Sequence, residues 1–499
     1  MNLLLYNPPS SAAKKPILPM SLLALGALLE GEHAYAIVDG NLERDPLAAL
    51  DAAVRASGAA LLGVTVMPGP QLAEAVPVCR RLKELHPRLT IAWGGYFPTQ
   101  HWEACLRAPY VDYVLRGHAE LAFRDLARAL AVGADPTGAA AGGGGIGGLA
   151  WRDPATGAPR SNGLAPLPHP DELPDYPYAR VPVARYARRT FMGARTLPHH
   201  SSYGCPFFCN FCAVVNMVEG AWLAQSAART AAVAGRLARE HGADAVELYD
   251  NNFFVKEARS VEFAERVAPL GIAWWGEARI DTLLKYREAS WRAMRGAGLR
   301  MVFLGAESGS DATLERMNKG GTATVEKTLE IAARTAEHDI VPELSFVLGN
   351  PPDPEADTRA TLDLIRRVKR RNPRAEIILY LYTPVPLAGA LYEDARAAGF
   401  RFPETLEEWV SPAWREVAQR RSARLPWLAD PLRRQLHDFE RVLNAYYPTA
   451  TDPRLGRLAR LVLRGLASWR YHLRLYAYPL ELAALQRLVA YQRPETSGF

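Results

Sequence analysis

Cysteine is scarce in this chain. Only five occur in 499 residues, and three of these, Cys205, Cys209 and Cys212, share one short stretch, leaving Cys79 and Cys105 elsewhere. The chain also lacks any apolar run long enough to be a transmembrane helix. Its first residues, Met1-Asn2-Leu3-Leu4-Leu5-Tyr6-Asn7-Pro8-Pro9, have neither the basic region nor the long apolar stretch of a signal peptide. With an odd cysteine count, that argues against a disulfide framework and predicts a reducing, cytoplasmic location. Charge excess is also small: 59 Lys and Arg against 53 Asp and Glu, a formal +6. Such a balance suits anionic ligands or a membrane surface, and no nucleic-acid partner is expected. What is present, 49% hydrophobic and 22% charged residues, is the composition of a globular protein with room for two or three cores.

The three clustered cysteines read Cys205-Pro206-Phe207-Phe208-Cys209-Asn210-Phe211-Cys212. Thiolates select iron–sulfur clusters, zinc or copper(I). A [4Fe–4S] cluster normally takes four of them, so three leave one iron with an open coordination position. Structural zinc would need a fourth protein ligand, for which His199 or His200 would have to fold back. The aromatics Tyr203, Phe207, Phe208 and Phe211 would exclude water from a cluster and would equally suit a core.

Residues 1–135 alternate strands and helices, the pattern of a doubly wound, Rossmann-like α/β sheet. Strands are expected at Leu3–Tyr6, Ala34–Val38, Ala59–Val66, Thr90–Trp93 and Val111–Leu115, with helices at Ser21–Glu30 and Leu72–Leu85. Ligands of such sheets bind beyond the carboxyl ends of the strands. Those ends carry Asn7-Pro8-Pro9, Asp39-Gly40-Asn41, Gly94-Gly95 and Arg116-Gly117-His118-Ala119-Glu120, which would also serve as ordinary tight turns.

Residues 136–194 read as a linker: Ala139 to Gly148 is nearly all alanine and glycine, Trp151 to Asn162 a hairpin, and Leu167 to Tyr178 a proline-rich extended connector. From 195 to 399 the strand–helix alternation resumes. Strands at Ala245–Tyr249, Ala273–Ile280, Met301–Gly305, Glu343–Leu348 and Glu376–Tyr382 follow the cysteine strand, with a helix at Ala227–His241, giving a partial (β/α)6 barrel. Polar clusters fall at the carboxyl strand ends, where parallel barrels keep their reactive groups. They are Glu247 and Asp250, Glu277 and Arg279, Glu307 and Ser308 within Gly305–Ser310, Asn350 before Pro351-Pro352, and Tyr382-Thr383-Pro384-Val385-Pro386.

Residues 400–499 have helical periodicity. Pro431–Tyr446 is expected to cap the barrel. Pro453–Ala477 sets Leu455, Leu458, Leu461, Leu463, Leu466, Trp469 and Leu473 among Arg454, Arg457, Arg460, Arg464, Arg470 and Arg474. That helix either packs on the barrel or lies on an anionic membrane, and the second reading would make the protein peripheral at the inner membrane face.

Cys-x3-Cys-x2-Cys with these barrel elements closely resembles the radical S-adenosylmethionine superfamily. The strand ends of the first domain resemble the cobalamin-binding domain that precedes some of its members. Together they cover about four-fifths of the chain. The resemblance implies that Cys205, Cys209 and Cys212 hold a [4Fe–4S] cluster. It implies that Tyr203, Glu247, Asp250, Arg279, Glu307, Ser308 and Asn350 bind S-adenosylmethionine. It implies further that Asn7, Pro8, Asp39, Asn41, Gly94, Gly95, Arg116, Gly117, His118 and Glu120 bind cobalamin. No Asp-x-His-x-x-Gly motif offers a lower cobalt ligand, and His118 stands where the family has a glutamate, so a domain that has lost cobalamin is the alternative. The family's commonest activity is methylation of an unactivated carbon: one S-adenosylmethionine methylates cobalamin and a second yields the 5′-deoxyadenosyl radical that opens the substrate. An external one-electron reductant of flavodoxin or ferredoxin type would be required. Oxidative cyclisation or ring rearrangement, as in the anaerobic porphyrin-ester cyclases, uses the same scaffold, and a non-catalytic zinc protein is the reading from another class. His199, His200, Tyr203, Trp222, Trp274 and Trp275 are candidates for contact with a small-molecule substrate by proximity alone.

Overall fold

A computed structural model describes residues 1–10, 16–138, 144–418, 425–451 and 455–488. The small-residue stretch of the linker therefore lies partly outside the described residues, as do Pro453 and Arg454.

The first sheet has seven strands: β1 (Asn2–Asn7), β2 (Ala34–Asp39), β3 (Leu61–Thr65), β4 (Thr90–Gly94), β5 (Tyr113–Leu115), β6 (Leu149–Arg152) and β7 (Pro159–Ser161). Their order is β2-β1-β3-β4-β5-β6-β7, with the first five parallel and the last two antiparallel. Strand β1 is buried almost throughout, as expected of a parallel strand covered by helices on both faces. The hairpin expected in the linker is β6–β7, and it extends this sheet from the edge of β5. Two short helices bear on the site: α1 (Tyr96–Gln100), after β4, and α2 (Val214–Val218), after the cysteine stretch.

The second sheet is all parallel: β8 (Thr196–His199), β11 (Ala245–Leu248), β12 (Ala273–Ala278), β13 (Leu299–Glu307), β14 (Val341–Leu348) and β15 (Glu376–Leu381), in the order β15-β14-β13-β12-β11-β8. Six parallel strands match the expected partial barrel. Between β8 and β11 stands a small antiparallel pair, β9 (Ser202–Gly204) and β10 (Trp222–Ala224). Helix α3 (Ala227–His241) starts where the Ser226 side chain accepts from Arg229 N and stops at Gly242, whose φ of +67° suits a residue without a Cβ.

Alternation along the strands divides the barrel wall. Trp274 and Ala278 face the helices with Phe253, Phe254 and Phe263. Trp275 faces inward with Met301 and Val341, against Phe191, Met192, Tyr249 and Phe303. Glu247 pairs with Trp275 in register and Glu277 with Phe303, so both glutamates share that inner face. Helices α4 (Asp430–Tyr446) and α5 (Arg457–Leu473) pack together in the C-terminal region.

Candidate active site

The cysteine loop leaves β9 and runs to α2, so two strands and a helix fix its ends. Asp250, fully buried, accepts from Ser201 N at 2.5 Å, from Ser201 Oγ at 2.5 Å and from Ser202 Oγ at 2.8 Å. Its carboxylate is thus committed to anchoring the approach to the cysteines, which is not the free acceptor expected for a ligand's ammonium. Glu247 is engaged in the same way by Arg188, and by the Tyr249 hydroxyl at 2.9 Å.

Two cations stand beside the thiols, each paired with a carboxylate. Arg279 Nη1 donates to Cys209 Sγ at 3.4 Å, and its planar group lies 3.8 Å from the Phe207 ring centroid. The same guanidinium grips Asp281 through two 3.0 Å bonds, so its fork already holds a carboxylate of the chain. Lys319 donates to Glu307 at 2.8 Å and to Gly305 O at 2.6 Å. Burial raises the Cys209 thiol while Lys319 and Arg279 pull it back. Burial pushes Cys212 up to about 12. Thiols this buried ionise when a metal takes the proton's place.

Glu307 sits at φ +63°, beside a register shift that ends the β13–β14 pairing. That left-handed turn brings its carboxylate back onto Gly305, where an added Cβ would lie 2.1 Å from Oε1. Ser308 Oγ donates to Asp357 at 2.6 Å and Asn350 Nδ2 donates to the same carboxylate at 2.8 Å. Glu307, Ser308 and Asn350 are thus brought together, each with one polar group spent on the protein.

Three asparagine carbonyls are left over. Asn210 Oδ1, Asn252 Oδ1 and Asn350 Oδ1 are buried and accept no hydrogen bond. Asn252 Nδ2 meanwhile approaches Cys205 Sγ at 4.0 Å, and Asn210 lies inside the cysteine loop. Buried acceptors without donors are rare and call for a ligand or ordered water. Sequence reasoning passed over Asn210 and Asn252; the place of Asn210 between Cys209 and Cys212, and of Asn252 two residues after Asp250, is the available signal.

These features fit a cluster with S-adenosylmethionine beside it. Among the described residues no group of three His, Cys, Asp or Glu side chains could hold a single metal ion. A cubane gives each thiolate its own iron, so its ligands need not converge on one point, whereas zinc's must. His199, a possible zinc ligand, bonds Gln225 at 2.9 Å instead, and burial lowers it to about 4.

Across from the thiols stands the carboxyl edge of the first sheet. The His118 ring stacks on Tyr203 with centroids 4.2 Å apart. Gln100 of α1 donates to Ala213 O at 3.1 Å and accepts from Asn216 of α2 at 2.7 Å. An added Cβ on Gly117 would stand 3.3 Å from Met217 O, so this glycine serves the domain contact. Burial works to raise the Glu120 carboxyl, but the His118 ring, 3.9 Å from it, and Tyr203 outweigh burial and hold it below the usual range. Arg116 donates to Ser161 Oγ at 2.9 Å and lies over Trp102.

At the other strand ends Asp39 Oδ1 accepts from Asn7 Nδ2, Asn41 N and Asn41 Nδ2, and Oδ2 from the Tyr186 hydroxyl at 2.8 Å. Gln71 donates to Asn7 Oδ1 and to Pro8 O. Asn7, Asp39 and Asn41 therefore knot the strand ends to the connector, leaving backbone as the surface for a ligand there. Thr65, Met67 to Gly69 and Gly94 to Tyr96 are partly exposed at the ends of β3 and β4, and Gly95 at φ +98° keeps that shelf free of a side chain. A backbone shelf of this kind fits a large, flat cofactor.

Of the substrate candidates, Trp274 is excluded by its position behind the sheet, with Nε1 bonded to Ala297 O. Trp222 Nε1 donates to Asn252 O, and Trp275 lines the inner face. His199 and Tyr203 line a small pocket with Tyr176, Gln225 and Arg229.

Family models account for both halves of this arrangement: B12 binding domain over residues 11–127 and Radical SAM superfamily over residues 200–365. The chain carries a B12-binding domain and a radical SAM domain, the pairing found in cobalamin-dependent radical SAM enzymes. Its cofactors are a [4Fe–4S] cluster, S-adenosylmethionine and cobalamin. This radical SAM chain is 26% identical over 378 residues to an uncharacterized methyltransferase of Pyrococcus horikoshii, covering 74% of the chain and 78% of that protein. It is 26% identical over 364 residues to the anaerobic magnesium-protoporphyrin IX monomethyl ester cyclase of a Synechocystis species, covering 70% and 68%. Among solved structures it shares the fold of the radical S-adenosylmethionine methyltransferase TsrM from Kitasatospora setae, with a TM-score of 0.63, 18% identity, and 81% and 77% of the two chains covered. The cobalamin-dependent enzyme OxsB gives 0.60, 18% identity, and 79% and 54%.

Proposed function

We propose that this enzyme methylates an unactivated carbon of a small-molecule substrate. The observation that carries the reading is the contact of His118 with Tyr203, which puts the strand ends of the B12 domain against the loop of three thiols. Bound there, the cofactors supply a reductively generated deoxyadenosyl radical and a transferable methyl group.

The protein's part is holding and shielding. Cys205, Cys209 and Cys212 hold the cluster, and Arg279 and Lys319 offset its negative charge. Phe207 and Phe211 keep water from the sulfurs. Asn210, Asn252 and Asn350 offer carbonyl acceptors to S-adenosylmethionine, beside the Glu307–Lys319 pair. The shelf at Thr65–Gly69 and Gly94–Tyr96, with Gly117–Glu120, receives cobalamin. On the inner barrel face Glu277 is pushed up to about 8, first by burial and then by Asp250, so it enters the neutral range carrying a proton. The reading includes an external one-electron reductant of flavodoxin or ferredoxin type, and a peripheral membrane contact through the C-terminal helix. Its domains are 1–135, a connector 136–194 whose hairpin completes the first sheet, 195–399 and 400–499.

Radical cyclisation is the second reading, favoured by the likeness to the Synechocystis cyclase over 70% of the chain. The test is anaerobic reconstitution with iron, sulfide and cobalamin, followed by reduction with S-adenosylmethionine bearing a deuterated methyl group and a cell extract. Release of 5′-deoxyadenosine with a product gaining the labelled methyl supports methylation. Deoxyadenosine with hydrogen loss or oxygen gain supports cyclisation, and no deoxyadenosine sinks both.

A further inference from the structure

Helix α5 has two apolar faces. Leu463, Ala467 and Tyr471, four residues apart, are buried. On the opposite face Leu458, Leu461, Val462, Leu466, Trp469 and Leu473 recur at three- and four-residue spacing and stand open. Their exposures run from 43% at Leu466 to 76% at Leu458, and Leu475, Tyr478 and Leu480 extend the patch beyond the helix. Among the described residues only Val132 and Phe208 are large exposed hydrophobics outside it. An apolar stripe of this length on a soluble surface marks a contact made with something else.

The charge around the stripe says what that is. Residues 455–488 contain Arg457, Arg460, Arg464, Arg470, Arg474 and Arg487 against Glu481 alone. Two copies facing each other through this surface would bring like charges together, whereas an anionic lipid surface complements it. Most of the arginines are not free to act as the main attraction. Arg470 pairs with Glu481, Arg460 donates to Leu455 O and Thr449 O, Arg474 pairs with Asp363 at 3.2 Å, and Arg464 lies over Tyr446. The arginines therefore hold the helix in place with the leucines outward, and insertion of the leucines carries the affinity.

We infer that α5 is a monotopic membrane anchor, laying Leu458, Leu461, Val462, Leu466, Trp469 and Leu473 into the surface of an anionic bilayer. No described helix is long and apolar enough to cross a membrane, so the contact lies in the interface plane. It rests on the peripheral contact included in the proposed function and deepens it: insertion, with charge in a supporting role, favours a lipophilic substrate taken up from the bilayer.

The test uses the reconstituted full chain in flotation with phosphatidylcholine vesicles, with and without phosphatidylglycerol. The chain should float with the anionic vesicles, and moderate salt should leave most of it bound. The double variant L461E/L466E, altered only at exposed positions, should partition at least about tenfold less. Its 5′-deoxyadenosine release and monomeric mass by light scattering should match the parent chain. A parent chain that stays out of the vesicle fraction, a double variant that floats equally, or a parent dimer that the variant dissolves would each overturn the anchor. Deoxyadenosine release, read in the same preparations, reports separately on the chemistry.

Discussion

The imidazole of His118 lies on the ring of Tyr203 at 4.2 Å, one side chain from the first sheet and the other two residues ahead of Cys205. This pair also shields Glu120, whose carboxyl is held below its usual range in spite of burial by the His118 ring 3.9 Å away and by Tyr203. Replacing His118 by Ala should cost on the order of 1–3 kcal/mol, from the lost ring contact and the buried carboxylate left without its nearest cation. Denaturant unfolding of His118→Ala against the parent chain checks this, and an unchanged midpoint would remove His118 from the domain contact.

Arg279 balances one buried carboxylate and one thiol. Its loss in Arg279→Leu strands Asp281, which should destabilise the chain by about 3–5 kcal/mol. It also takes a positive charge from beside Cys209, so the cluster should become harder to reduce, moving its midpoint potential to more negative values. Arg279→Lys should keep much of the potential and lose the bidentate grip. Redox titration followed by electron paramagnetic resonance reads the first effect and thermal unfolding the second.

Glu277 gives a pH signature. Its pKa in the folded chain, about 8, lies above the ordinary 4.5, so between these values the folded state binds more protons than the unfolded one. Stability from this group is therefore fully present below about pH 4.5 and declines as pH rises toward about 8. Glu277→Gln should remove that decline, melting above the parent chain at pH values beyond about 8 and closer to it near pH 5. Equal pH slopes in thermal scans of the two proteins would contradict the assignment.

The thiols divide from their surroundings by substitution. Serine at Cys205, Cys209 or Cys212 should abolish the cluster's visible absorption after reconstitution while leaving far-ultraviolet dichroism intact, since none of the three closes a strand or helix. Asn252→Leu should retain the cluster and lower its potential, because it removes a polar hydrogen directed at Cys205 sulfur.

The positions of most strands and the thiol loop could be read in advance because apolar runs and glycine breaks are local signals, whereas the order of the strands within each sheet was not. The expected strands at Leu3–Tyr6 and Glu376–Tyr382 became Asn2–Asn7 and Glu376–Leu381. Side-chain partners were not legible. Asp39 meets Tyr186, and Glu247 meets Arg188, across 147 and 59 residues of chain. Nothing in a strand-end motif reveals that a proline-rich connector will supply the donor. The same blindness hid the orphan carbonyls of Asn210 and Asn252, since a missing partner can be seen only once all neighbours are in place. Helical periodicity identified α5 as amphipathic but could not tell which of its two apolar faces would be covered.

The β6–β7 hairpin sets where the protein can be cut. It pairs β5 through Leu115 with Leu149, Val114 with Ala150 and Tyr113 with Trp151, so the polar backbone of that border strand is occupied from beyond residue 148. A fragment ending near residue 135 would present an unzipped margin to its neighbours and invite them to stack on it. Expression of the amino-terminal half in isolation calls for a stop codon past Ser161, after the second arm of the hairpin has been made.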